Sequence, residues 1–279
     1  MKKGINIWCF RDQCDVRGCM TLSKRAGFEG IELAYAEDGA VNPRSTGADM
    51  SSLVRLARDV GIELTSLASG ITWKYNLISD AASERDAAMA HVRKALELAG
   101  ALCVDTLLLV PGFIGPFMAG ASVVRDYEEA YRRGQALIHE LAEHAQHQGV
   151  CIGVENVWNK FLSSAIEMRD FVDGIGHPCA QCYFDVGNVL RSGYPEHWIR
   201  VLGKRIKKVH FKDFRANVGA LDGFVELLQG DVDYPAVMAA LRQVGYDDWC
   251  VAELGPRRDW PESMLEPTSR AMDLILGRG

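Results

Sequence analysis

Residues 1–279 are expected to form one α/β domain, a single (β/α)8 TIM barrel, on three grounds. Short apolar, β-branched runs recur eight times, as buried parallel strands do. A segment of helical character follows each run, and strict alternation of this kind makes a parallel sheet with helical crossovers. No proline- or serine-rich linker divides the chain, and such a barrel commonly takes about 250 residues as one domain. An open doubly wound sheet is the alternative. Its G-x-G-x-x-G fingerprint after the first strand is absent, and so is a G-x-x-x-x-G-K-[ST] phosphate loop.

The strand runs fall at 4–10 (GINIWCF), 27–34 (GFEGIELA), 61–68 (GIELTSLA) and 103–110 (CVDTLLLV). They continue at 149–156 (GVCIGVEN), 180–187 (AQCYFDVG), 206–214 (IKKVHFKDF) and 249–255 (WCVAELG). The first helical segment, 20–27, ends on Gly27 as a C-cap. Residues 47–61 place Leu53, Leu56 and Val60 at helical spacing. Ser83 is the expected N-cap of 83–100, whose stripe is Met89, Val92, Leu96 and Ala99. Residues 121–149 carry Leu137, Leu141 and Ala145 at four-residue spacing. Helices at 164–176, 195–204, 234–245 and 268–277 complete the set.

Composition narrows the class. With 48% hydrophobic and 24% charged residues the chain is ordinary globular protein, which excludes disordered and fibrous types. Net charge is −6 with no basic patch, so nucleic acid is not an expected partner. No stretch approaches the roughly 20 apolar residues that span a bilayer, so no membrane association is expected. The apolar start is short and broken by RDQCD, unlike a signal peptide. Cys103, Cys151 and Cys250 sit in apolar runs, as free thiols do, and a cytoplasmic protein is expected. Cys179-x-x-Cys182 lacks the second pair of a zinc ribbon, and the spacing of Cys9, Cys14 and Cys19 matches no metal site.

Chemistry in a (β/α)8 barrel sits at the carboxyl ends of the strands. Strand five ends in Glu155, strand six in Asp185 and strand eight in Glu253, while strand seven carries His210. A lone acid at a strand end is more often a helix cap or an ion pair, and a lone histidine is often core. Four such groups on successive strands suit one divalent ion, Mn²⁺, Co²⁺ or Mg²⁺, with Zn²⁺ also compatible. Without a cation the clustered carboxylates would repel one another. Lys212 shares a strand face with His210 and is a candidate for substrate oxygens or phosphate, or for an ion pair. Trp8 and Trp73 are candidate pocket walls, and Glu32 a candidate hydrogen-bonding group within the pocket. A hydrogen-bond acceptor is expected on the other nitrogen of His210, with no residue to name for it. Ser163 and Ser164 open the helix after strand five, where anions bind well or where Ser163 serves as cap.

The segments VENVWNKFLSS, YFDVGNVLRSGYPEHWI, RIKKVHFKDF and VAELGP resemble motifs of the xylose-isomerase-like barrel family of sugar and sugar-phosphate isomerases and epimerases. GFEGIEL and GDVDYPAVMAALRQVGYDD extend the likeness over nearly the whole chain. The resemblance implies one divalent metal on Glu155, Asp185, His210 and Glu253, with Glu155 and Glu253 as the catalytic acid/base pair. The pattern of Glu155, Phe161, Ser163 and Ser164, with Asp185 to Asn188, is most similar to L-xylulose-5-phosphate and L-ribulose-5-phosphate 3-epimerase-like members. Free-ketose 3-epimerases usually place histidine where this chain has Asn188. Arg215 lies one residue off the position of a substrate-binding arginine in that branch.

The function so implied is divalent-metal-dependent 3-epimerisation of a ketose or ketose phosphate. Proton abstraction at C3 would pass through a metal-stabilised cis-enediolate between the two glutamates. An aldose–ketose isomerase or a polyol dehydratase on the same ligands is the alternative, and a non-catalytic sugar-binding barrel a further one. A homo-oligomer, dimer or tetramer, is expected.

Overall fold

A computed structural model describes residues 1–11, 14–115 and 123–278. Eight parallel strands close into a barrel: β1 Lys2–Asn6, β2 Gly30–Tyr35, β3 Glu63–Ser69, β4 Thr106–Leu109, β5 Cys151–Glu155, β6 Ala180–Asp185, β7 Ile206–Phe211 and β8 Trp249–Ala252. Each pairs with its neighbour in the chain, and β8 closes on β1 through the Gly4–Val251 register. Around them lie α1 Val16–Arg25, α2 Gly47–Val60, α3 Ala82–Ala101, α4 Tyr127–His147, α5 Ala165–Ile175, α6 Pro195–Leu202, α7 Tyr234–Gln243 and α8 Leu265–Leu276. The fold is the (β/α)8 barrel that the alternation implies.

Local chemistry sets the element ends. The Asp15 carboxylate accepts the Gly18 N–H at 2.7 Å and starts α1 four residues earlier than its apolar pattern. Thr46 and Asp49 form a reciprocal capping box at α2. Ser83 does not cap α3: Ala81 holds that position without a side-chain bond. Glu84 in the first turn instead accepts the Asn76 N–H from the preceding loop. Asp126 caps α4, so that helix begins at Tyr127; residues 121 and 122 of the expected span lie outside the described residues. Ser164, not Ser163, caps α5 by accepting the Glu167 N–H.

Two strands end sooner than their apolar runs. β1 stops at Asn6, whose side chain accepts the Trp8 N–H and opens a 3₁₀ turn over Ile7–Cys9. β7 stops at Phe211, and Asp213–Phe214 leaves the barrel to pair antiparallel with Phe224–Val225. A one-turn helix, Val186–Val189, follows β6.

The barrel interior is filled, not hollow. A Cβ on Gly30 would lie 2.5 Å from Thr65 and 2.8 Å from Trp249, so only glycine lets β3 and β8 fill that layer. At the amino-terminal end, Lys208 is buried on β7 with its Nζ 2.7 Å from Asp248 and 3.0 Å from Asp105. Lys207 reaches the other oxygen of Asp105 at 2.7 Å. All eight cysteines are free thiols. Among the described residues no helix is long and apolar enough to cross a membrane.

Candidate active site

Four side chains meet at the carboxyl end of the barrel. Glu155 and Asp185 are the last residues of β5 and β6, His210 is next to last on β7, and Glu253 directly follows β8. The Glu253 N–H donates to Phe211 O at 3.1 Å, extending the ladder one residue past the strand. One ligand atom from each of the four lies within 4.8 Å of the others. His210 Nδ1 is the focus: Glu253 Oε2 lies at 2.7 Å, Glu155 Oε1 at 3.3 Å and Asp185 Oδ2 at 4.0 Å.

Two of the ligands, His210 and Asp185, are held from behind. His210 Nε2 lies 2.7 Å from Glu32 Oε2, and both side chains are fully buried. Glu32 also accepts from Ser66 at 2.6 Å, from Tyr183 OH at 2.7 Å and from Asn6. Asp185 has its Oδ1 tied to the Asn188 N–H at 2.7 Å, because it caps the following helical turn. That leaves Oδ2 for the cluster. The Asn156 amide clamps the Asp185 backbone on both sides, accepting its N–H and donating to its carbonyl, each at 2.8 Å.

Lys212 Nζ sits 2.9 Å from Glu253 Oε2 and 3.1 Å from Asp185 Oδ2. These two oxygens are buried yet accept no hydrogen bond of good geometry. Buried carboxylate oxygens that meet cations without a directed donor fit a metal ion, which needs charge and distance but no hydrogen. The donor set of three carboxylates and one imidazole, preorganised by hydrogen bonds from behind, fits a divalent ion on the same grounds.

The electrostatics separate the two glutamates. Burial, with the nearby Glu253 charge, pushes Glu155 up to about 7 against the pull of His210. Burial also acts on Glu253, but Lys212 and His210 outweigh it and hold that carboxyl down at about 2. Asp185 is raised by burial. Burial opposes charge on His210, yet Glu32 and Glu253 outweigh it and keep the imidazole well above its ordinary value.

The cluster opens into a small cavity of about 190 Å³. Trp8, Trp73, Asn188 and Lys212 line it together with Glu155 and Glu253. Arg215 is farther out, in a wider cavity of about 1010 Å³ that shares Trp8, Lys212 and Glu253 with the first. Glu32 does not reach either cavity; it lies beneath His210 and is the acceptor that the sequence left unnamed. Trp158, Leu221 and Phe224 also wall the smaller cavity and escaped sequence reasoning. Trp158 had a signal, three residues after Glu155 in the same motif. Leu221 and Phe224 had none, because the hairpin that carries Phe224 is not visible as periodicity.

A parallel barrel with a buried carboxylate–imidazole cation site at its catalytic face defines the class: a metal-dependent (β/α)8 enzyme. The profile of the xylose isomerase-like TIM barrel family matches residues 20–271, and the chain belongs to that family. The L-ribulose-5-phosphate 3-epimerase UlaE of Salmonella typhi is 24% identical over 271 residues, covering 88% of each chain. The structure of D-psicose 3-epimerase with D-tagatose from Clostridium cellulolyticum H10 superposes with a TM-score of 0.82 at 20% identity, covering 99% of both chains. A D-psicose 3-epimerase solved in the presence of D-fructose gives 0.81 at 20% identity, covering 99% of this chain and all of the other.

Proposed function

We propose that this chain is a divalent-metal-dependent 3-epimerase of a ketose or ketose phosphate. The observation that carries the reading is the pair of glutamates, buried Glu155 and half-buried Glu253, converging from β5 and β8, with burial raising the first and Lys212 and His210 lowering the second in the metal-free site. Epimerisation needs one group to remove the C3 proton and another to return a proton to the opposite face. Two carboxyls with separated proton affinities are suited to such divided work. Similarity to 3-epimerases in sequence and in fold supports the assignment.

A divalent cation held by Glu155, Asp185, His210 and Glu253 supplies, when bound, Lewis-acid polarisation of the oxygens beside the reacting carbon. Glu155 takes or gives the proton on one face. Glu253, stabilised as a carboxylate, serves the other face. Glu32 orients the His210 ring so that Nδ1 points at the cluster. Lys212 offsets the carboxylate charge at the cavity mouth and stands where a substrate oxygen would enter. Trp8, Trp73 and Trp158 supply apolar walls that keep water from the reacting carbon. Asn188, in the wall of the smaller cavity, and Arg215, in the wider one, are the further candidates for polar contacts with the substrate.

Turnover of pentuloses, hexuloses and their phosphates in D₂O tests the reading. Deuterium should enter at C3. Label confined to C1 or C2 would replace the epimerase by an isomerase on the same ligands.

A further inference from the structure

Glu253 lacks the side-chain support that Asp185 and His210 have. Asp185 is tied through its Oδ1 and His210 through its Nε2. Among the described residues, the Glu253 carboxylate meets His210 and Lys212, both through Oε2, the oxygen that faces the cluster. Its place is therefore set by its backbone.

That backbone lies just beyond the barrel ladder. β8 ends at Ala252, and its pairing with β1 ends where Ile5 stands opposite Ala252. β1 goes no further, because the Asn6 side chain accepts the Trp8 N–H at 2.6 Å and turns the chain into the 3₁₀ segment Ile7–Cys9. On the β7 side the Glu253 N–H still reaches Phe211 O at 3.1 Å. On the β1 side no strand is left to receive the next N–H, that of buried Leu254. Buried backbone donors are almost never left unpaired.

The Cys9 thiol fills this gap. The Leu254 N–H donates to Cys9 Sγ at 3.2 Å, and the S–H donates to Ala252 O at 3.5 Å. One side chain thus brackets Glu253, holding the residue before it and the residue after it. Asn156 treats Asp185 in the same way, with an amide in place of a thiol.

No other task competes for Cys9. It is 1% exposed, lines neither cavity and is not one of the four clustered ligands. A thiol so buried is inert as a nucleophile. The turn that carries it also serves the far side of the cluster: Asn6, which opens it, donates to Glu32, the acceptor behind His210.

We propose that Cys9 is the positioning residue of Glu253. Its thiol fixes the backbone on both sides of that glutamate and so sets where the carboxylate meets the divalent ion. The effect on ion binding stands without the epimerase reading; the effect on proton transfer rests on it.

Cys250 provides the control, a fully buried thiol on β8 with no hydrogen bond among the described residues. Truncation there costs packing alone. In Mn²⁺ titrations of the metal-free proteins, Cys9→Ala should bind the ion about tenfold more weakly than wild type, as loss of an outer support does. Cys250→Ala should stay within about twofold of wild type. Cys9→Ser keeps a donor and an acceptor and should recover most of the affinity that Cys9→Ala loses. Equal affinity in Cys9→Ala and Cys250→Ala, or no recovery in Cys9→Ser, overturns the role.

Amide exchange in the wild-type protein needs no variant and decides the case in which Cys9→Ala does not fold. The Leu254 N–H should be protected. Exchange as fast as that of the surface loops overturns the clamp. At saturating Mn²⁺ on a ketose that the wild type turns over, kcat for C3 exchange should fall about tenfold in Cys9→Ala, with KM moved by less than about threefold. An unchanged kcat, or an equal fall in Cys250→Ala, overturns the effect on proton transfer. Absence of turnover by the wild type on every ketose removes the epimerase reading and leaves ion affinity and amide protection to decide the role of Cys9.

Discussion

His210 Nε2 and Glu32 Oε2 lie 2.7 Å apart with both side chains wholly inside the barrel. That contact fixes which ring nitrogen faces the cluster. Glu32→Gln keeps the shape and removes the charge that steadies the imidazole N–H. Such outer partners are worth about 10–100-fold in metal affinity, and Mn²⁺ titration of the variant should show a loss of that order. Equal affinity would mean that Glu32 does not position His210.

Lys212 shares its two oxygen partners with the proposed metal ligands. Its ammonium repels a divalent ion and stabilises the carboxylates in the ion's absence. Lys212→Met should therefore bind Mn²⁺ about tenfold tighter or more, and should lower the melting temperature of the metal-free protein. Weaker ion binding in the variant contradicts this role.

Ion uptake should depend on pH. Ligation requires Glu155 as a carboxylate and His210 with Nδ1 free. Burial raises Glu155 to about 7, so its protonated fraction grows as pH falls below that value. Affinity should rise with pH up to about 7 or beyond, and binding at pH 6 should release protons. Calorimetry in two buffers of different ionisation enthalpy measures the release; a pH-independent affinity with no protons released would refute it.

Glu155→Gln preserves volume and removes the proposed proton carrier. The rate of deuterium incorporation at C3 should fall by about 10²–10⁴. Glu253→Gln should also suppress turnover, since each face needs its own group. Wild-type rates in either variant would dismiss that glutamate from proton transfer.

Asp105 makes a stability prediction at the opposite end of the barrel. Burial favours its neutral form, but Lys207 and Lys208 outweigh burial and hold the carboxyl near 2, below its ordinary 3.8. A depressed carboxyl stabilises the fold above its unfolded value and loses that contribution as pH falls through its folded one. Asp105→Asn should thus lower the urea midpoint at pH 7, with the difference from wild type shrinking between about pH 4 and 2. A constant difference across that window would place the effect elsewhere.

Much of this arrangement was legible in the sequence because period and position carry it. Eight apolar runs gave the eight barrel strands, and polar residues at the ends of the late runs gave the cluster. The misses have physical causes. Ser83 has the chemistry of a cap, but a cap depends on where the chain turns, and it turns at Ala81. β7 and the hairpin read as one run because Phe214 continues the apolar pattern while the backbone changes partner from β6 and β8 to Phe224. Glu32 could be noticed but not paired with His210, which lies 178 residues away and meets it only across the closed barrel. Leu221 and Phe224 enter the cavity wall through a connection that has no periodic signature.

The ribbon formed by Asp213–Phe214 and Phe224–Val225 is a sheet apart from the barrel. Phe224 reaches the cavity wall from this ribbon, so changes along it can reshape the roof of the cavity while the barrel strands keep their own pairing. Relatives that share the same reaction centre would be expected to differ there first, each recutting the ceiling to the sugar it admits.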